Sequence, residues 1–209
     1  MAFASIMEEL GSPAPDFQLP NTNPNAGPKV VSLGDFSAMP ALLVAFVCNH
    51  CPYVIHIRDC FSNFARSYAD QGLGIVAISA NDISTHPGDG PQKMADEALA
   101  HNFSYPYLYD ETQDTAKAYR AACTPDFFLY DSQRKLVYRG QFAASRPNND
   151  MPVDGSALQS AVDAALSGQP VTTEQVPSLG CNIKWKSGQE PDYFPVSYTH
   201  LTLPTIYSV

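Results

Sequence analysis

The sequence predicts an α/β domain built on a central mixed β-sheet with helices on both faces. Three observations predict it. Residues 42–47 (LLVAFV) and 74–79 (GIVAIS) are unbroken apolar runs, as strands buried on both sides require. Each is followed by a helical pattern, so the pair needs a crossover and runs parallel. Residues 127–130 (FFLY) and 136–139 (LVYR) are strand candidates joined only by a tight turn at 131–134, which makes them antiparallel.

In chain order, residues 1–11 read as a flexible lead-in. Pro13, Pro15, Pro20, Pro24 and Pro28, with Asn21, Asn23 and Asn25 among them, break the next stretch into turns and short extended pieces. Residues 29–33 form a short strand. After the first apolar run, Pro52 suits the first turn of a helix that reaches about residue 69. Val54, Ile57, Phe61, Phe64 and Tyr68 line its inner face, and Gln71-Gly72 stops it. A loop over 80–90 leads to a second helix from Pro91 to about residue 101, with Met94, Ala98 and Leu99 turned inward. Residues 105–109 are extended. Asp110 and Gln113 resemble a capping box for a helix to about residue 121. Residues 142–155 are irregular. Ser156 and Gln159 form a second box, opening a helix lined by Leu158, Ala161, Val162, Ala165 and Leu166 and stopped by Gly168. The domain therefore spans 12–168, and residues 169–195 wrap its surface. Residues 196–209 carry no Asp, Glu, Lys or Arg and no helical stripe. They resemble translated sequencing-adapter sequence and are read as a non-native tail. Strand, helix, strand, helix, hairpin, helix is the thioredoxin-like layout.

Composition narrows the function. A chain of 209 residues fits one domain with a buried core. Its net charge of -9 argues against nucleic acid or an anionic membrane as partner. No apolar run approaches membrane-spanning length, and residues 1–11 lack the pattern of a secretory signal. Five cysteines with one close pair suit a reducing compartment, so a cytoplasmic location is expected.

That close pair, Cys48 and Cys51, sits where a strand gives way to a helix. Unpaired backbone N–H groups and the helix dipole stabilise a thiolate there. By position, Cys48 is expected to be the exposed attacking thiol and Cys51 the resolving one. His50, as imidazolium, would stabilise the thiolate and make the couple more oxidising. Thr124-Pro125 precedes the third strand, where this layout places a cis-proline loop that faces the dithiol and offers backbone groups to an extended substrate. Cys123 then lies near the site or serves as a small buried hydrophobe. Cys60 reads as core. Cys181 is a spare thiol, or a distant resolving cysteine if its segment folds back. A metal site would need further ligands from His50, His56, Cys123 or Cys181. No second Cys-x-x-Cys exists, so zinc is disfavoured, copper(I) somewhat less so, and no metal or other cofactor is expected.

APDFQLPNT, CNHCPYV, VAISAND, CTPDFFLYD, YRGQF, SRP and GCNIKWKSGQEPDY together carry a resemblance over about residues 12–194. The chain resembles the thioredoxin superfamily in its alkyl hydroperoxide reductase/redoxin branch, specifically the peroxiredoxin-like thioredoxin-family proteins. The resemblance implies a thioredoxin fold, a dithiol at Cys48 and Cys51, and a cis-proline at Pro125. Two positions depart from the family pattern. Ala143 and Ala144 stand where acids are usual, and His86 stands where Tyr is usual. The peroxidase motif Pro-x-x-x-Thr-x-x-Cys is incomplete: Cys51 takes the peroxidatic place, but Cys48 replaces the threonine and Val44 the proline. Pro125 stands in the place of the peroxidase arginine. Val47 replaces the tryptophan usual before a thioredoxin dithiol, and the first strand holds no buried acid. Thiol–disulfide exchange is therefore the expected activity, with a protein or small-molecule disulfide or thiol as substrate and a reducing protein as partner. Peroxide reduction by Cys51 is the alternative. A copper-binding or scaffold module is the second.

Overall fold

The two apolar runs lie side by side at the centre of a five-stranded sheet. In this computed structural model, which describes residues 2–194, the elements in chain order are β1 (Ala2–Ala4), β2 (Gln18–Pro20), β3 (Val30–Ser32), β4 (Ala41–Phe46), α1 (Pro52–Ser67), β5 (Leu73–Ser79), α2 (Pro91–Ala100), β6 (Tyr107–Tyr109), α3 (Asp114–Ala118), β7 (Cys123–Thr124), β8 (Asp126–Tyr130), β9 (Leu136–Gly140), α4 (Ser156–Leu166) and β10 (Leu179–Asn182). The reading of 196–209 as a non-native tail lies outside the described residues. The central sheet has the order β6-β5-β4-β8-β9. Its β4–β5 and β5–β6 pairs are parallel, and its β4–β8 and β8–β9 pairs antiparallel.

Alternation along the strands builds two cores. Leu43 and Ala45 face α1, α2 and α4, where Phe61, Met94 and Leu158 are buried. Leu42, Val44 and Phe46 face the other side, with Ala116 of α3, Phe17, Leu19, Ile183 and Trp185. Side chains in a strand alternate between faces, so an unbroken apolar run belongs between two covered faces. One of those faces is covered mainly by irregular chain. Helices lie on both faces, as expected, and the fold is thioredoxin-like.

Helix α1 begins at Pro52 with Cys51 as its N-cap, in extended conformation. The two other helix starts differ from expectation. Gln113, expected to close a capping box, is itself the N-cap of α3 with a left-handed backbone. Its side chain donates to the Ala80 and Lys184 carbonyls, and Asp110 accepts from the Ala116 N–H instead. Gly155, not Ser156, is the N-cap of α4, and its φ of +69° suits a glycine. Asp154 accepts from the Ser156 N–H. In both helices the sequence match was real but the partners were shifted by a left-handed residue. Leu99 is 48% exposed, beyond the inward stripe of α2 that Met94 and Ala98 form. Cys60, expected in the core, is half-buried at its margin.

Both chain ends add a second sheet. β1 pairs antiparallel with β10, and β10 with β7. The expected lead-in therefore contributes a strand, and the wrapping segment after residue 168 contributes its partner. A buried ion pair anchors this layer. Asp126 Oδ2 lies 3.2 Å from Arg139 Nη2, and both side chains are fully buried. Ser5 donates to Asp126 Oδ1 at 2.8 Å and accepts from Arg139 Nε at 3.1 Å. The guanidinium also stacks 4.3 Å over the Phe128 ring. Burial pushes the Asp126 carboxyl up, against the opposing pull of Arg139. Removing one partner of such a pair strands the other charge. Asp126→Ala should thus lower stability by about 3–5 kcal/mol in urea unfolding, and a loss under about 1 kcal/mol would contradict this account.

Candidate active site

The end of β4 and the start of α1 bring Cys48 and Cys51 together, with all five cysteines as free thiols. Cys48 still lies on the strand's course into the core and is 1% exposed, while Cys51 is 0% exposed. The expectation of an exposed Cys48 is corrected here. Three residues separate Cys48 from the helix start, which leaves it beneath the turn instead of at its tip. Thr124 covers both sulfurs. Its hydroxyl lies 3.3 Å from Cys48 Sγ, and its carbonyl oxygen 3.1 Å from Cys51 Sγ. The Thr124–Pro125 bond is cis, and the loop it shapes faces the dithiol.

The two sulfurs differ sharply in acidity. The Cys48 thiol donates toward Cys51 and so keeps its proton. Burial and the nearby Asp89 charge push it further, well above the usual range. Cys51 is pulled down to about 5. The Cys48 donor is the main cause, with Cys181 and the Val54 N–H adding to it against the cost of burial. The Thr124 carbonyl is the one contact that favours a protonated Cys51, since a thiol can donate to it and a thiolate cannot. Donors outnumber it, and the Cys51 sulfur stands at the positive end of α1. The surroundings therefore raise the Cys48 thiol and lower the Cys51 thiol, the opposite ordering from the one that position alone suggests.

A His50 ring nitrogen lies within 4.8 Å of the Cys48 sulfur, and the ring is held by a carboxylate. Its Nδ1 lies 2.6 Å from Asp89 Oδ2, and its ring stacks on His86 with centroids 4.9 Å apart. Burial and the neighbouring His50 push the His86 ring's pKa down. Asp89 is fully buried and was not anticipated from sequence, where the 80–90 loop read only as turn-forming. It also accepts from the Asn49 N–H at 2.8 Å and from Asn81 Nδ2 at 2.8 Å. Tyr107 donates to Asn49 Oδ1 at 2.9 Å. One carboxylate thus pins the whole turn between the cysteines.

Cys48, His50 and Asp89 place three ligating atoms within 4.8 Å of one another. Both Asp89 oxygens also accept hydrogen bonds, from the Asn49 N–H and from Asn81 Nδ2. His56 and Cys123, the other ligands considered, lie apart from this set. His56 bonds Ser145 at 2.6 Å, and the Cys123 thiol points at the Pro125 and Ser178 carbonyls. Burial drives the Cys123 thiol well up, which fits a small buried side chain. Cys181 does fold back. Its residue pairs with Thr124 across β10 and β7, half-buried beside Cys51, and its thiol is raised to about 11 by burial and by donation toward Cys51.

A cysteine pair at a helix N-terminus, beneath a cis-proline loop on this sheet, defines a thioredoxin-superfamily protein. The model of the AhpC/TSA family matches residues 10–139, and the chain belongs to that family, the redoxin branch. Among solved structures, it is similar to a hypothetical protein from Sinorhizobium meliloti at 49% identity and a TM-score of 0.85, covering 88% of this chain and 99% of that one. It is similar also to an uncharacterized conserved protein from Geobacillus kaustophilus at 46% identity and a TM-score of 0.86, covering 90% and 97%. The thioredoxin domain of a thiol-disulfide oxidoreductase from Bacteroides vulgatus shares the fold at 17% identity and a TM-score of 0.54, covering 73% and 97%. Comparison with curated proteins gives no match. Family and fold together support a thioredoxin-like redox function. Among the described residues, no helix is long and apolar enough to cross a membrane.

Folding lowers the Cys51 pKa below the 9.0 of an ordinary cysteine, so its thiolate stabilises the reduced protein fully above that pH. The contribution is lost as pH falls toward about 5. The ultraviolet absorbance of the reduced protein should show one thiolate forming with a midpoint of about 5. Cys51→Ser should abolish it, and Cys48→Ser should move it upward. A first midpoint near 9.0 would contradict this site description.

Proposed function

We propose that this protein is a thiol–disulfide oxidoreductase that cycles Cys48 and Cys51 between dithiol and disulfide. The observation that carries the reading is the placement of Cys48 and Cys51 at the start of α1, with both sulfurs against Thr124 of the cis-proline loop and the Cys51 thiol pulled down while the Cys48 thiol is pushed up. A disulfide sulfur that reaches Cys51 is attacked by its thiolate, and the displaced sulfur leaves as a thiolate. Cys51 is then uncharged, which removes the largest influence keeping the proton on Cys48. Cys48 loses that proton to the departing thiolate and attacks the Cys51 sulfur. The second substrate thiol is expelled, and the Cys48–Cys51 disulfide remains. Thr124 lies against both sulfurs and Pro125 follows it through a cis bond, where the loop's backbone groups can align an extended partner. Asp89 fixes the turn that carries His50, so His50 acts as a positioned neighbour of the pair.

Family membership and the Cys51 thiolate favour a second reading, peroxide reduction. It lacks the donors that such chemistry uses to hold peroxide oxygens. Thiols and backbone groups, not a guanidinium, lead the influences on Cys51, and Val44 and Pro125 stand in place of the motif's proline and arginine.

Oxidation in a thiol–disulfide redox buffer, read by intact mass and peptide mapping, should link Cys48 to Cys51 with the loss of two hydrogens. Wild-type protein that keeps five free thiols across the titration would refute the dithiol cycle. In stopped flow, hydrogen peroxide should be consumed no faster than by an ordinary thiol. Rapid consumption that survives Cys48→Ser would establish the peroxide reading instead.

A further inference from the structure

Both sulfurs of the pair are sealed, at 1% and 0% exposure. A redox pair with no exposed sulfur needs a route to its partner. Cys181 is the cysteine at the edge of this site that retains some exposure. It packs against the same core cluster as the pair. The chain path that brings it there is specific. β10 runs antiparallel to β7 with Cys181 opposite Thr124. Gly180 allows that approach, because a Cβ at 180 would overlap the Thr124 carbonyl. β10 also contacts α1, whose N-cap is Cys51. The strand is thus held on the cis-proline loop, where its cysteine stands opposite Thr124, the residue that contacts both sulfurs of the pair.

We propose that Cys181 is a third redox thiol, which forms a disulfide with Cys51 and carries exchange between the buried pair and thiols or disulfides in solution. The inference rests on the reading of Cys48 and Cys51 as a redox pair. In the oxidised protein, Cys181 attacks the Cys51 sulfur. The Cys48–Cys51 bond breaks, a Cys51–Cys181 bond forms, and the proton given up by Cys181 goes to Cys48. A thiolate of an outside dithiol then attacks Cys181, the more exposed sulfur. The bond to Cys51 breaks, and Cys51 leaves as the thiolate its site stabilises. Exchange is faster when the leaving sulfur is the more acidic one, which favours attack on Cys181 over attack on Cys51. The second thiol of the outside dithiol displaces Cys181 from the mixed disulfide. The dithiol has become a disulfide, and the protein holds the two electrons as free Cys48 and Cys51. Run backward, the same steps let a small-molecule disulfide reoxidise the protein.

The test oxidises full-length Cys48→Ser protein with a small-molecule disulfide and maps the products. A disulfide joining the peptides of Cys51 and Cys181 is expected. A variant that yields only Cys51 mixed with the small thiol, or Cys51 linked to Cys60 or Cys123, would overturn the proposal. In parallel, reduction of the oxidised Cys181→Ser protein by dithiothreitol should be at least about tenfold slower than wild type, because a sealed disulfide must wait for local opening. An unchanged rate would also overturn it. The two readings fail separately. If wild-type protein forms the Cys48–Cys51 link and Cys48→Ser forms no Cys51–Cys181 link, the relay is wrong and the dithiol stands. If wild type forms no link, the dithiol reading itself is wrong.

Discussion

The acidity of a sulfur that water scarcely reaches is the constraint on which this structure turns. Burial alone would keep Cys51 protonated. The fold answers with donors: the Cys48 thiol, the Cys181 thiol, the Val54 N–H and the positive end of α1. Each depends on a separate feature. Cys48 is brought in by the end of β4, and the helix start is set by Pro52. Cys181 is delivered by a strand that only a glycine at 180 lets approach. Asp89 then locks the turn between the two cysteines, so that their spacing does not drift.

The second sheet shows how the chain ends serve the site. β10 pairs with β7 at the cis-proline loop, and β1 extends that sheet on the far side of β10. They are tied down from beneath by the Asp126–Arg139 pair through Ser5. A buried ion pair contributes little net stability compared with an apolar replacement, but it punishes misplacement of either partner. It therefore suits a layer whose position matters more than its strength. The proposed exchange through Cys181 would run through the same strand, β10.

Much of the fold was legible from sequence because its central elements obey simple periods. β4 is apolar at every position and β5 up to its final serine, as sheet strands between two cores must be, and α1 carries a stripe of 3.6 residues behind a proline. The tight turn at 131–134 allowed only a hairpin. β1 and β10 were illegible because strands of three and four residues have no period to read. Capping boxes at Gln113 and Ser156 misled because a left-handed residue moved each helix start. At the site, the cysteine pair and the cis-proline were readable from motif and position. The division of labour between the sulfurs was not, since it depends on depth and on donors far apart in the chain. Asp89 stood within a Pro-Gly-Asp-Gly stretch that already explained itself as a turn, and nothing local marked it as buried.

The most direct measurement of the central claim is the pH dependence of the midpoint potential of the cysteine couple across neutral pH. If Cys51 is a thiolate there, reduction takes up two electrons and one proton, and the potential falls by about 30 mV per pH unit. If both thiols are protonated, two protons accompany two electrons, and a fall of about 59 mV per unit would contradict the account.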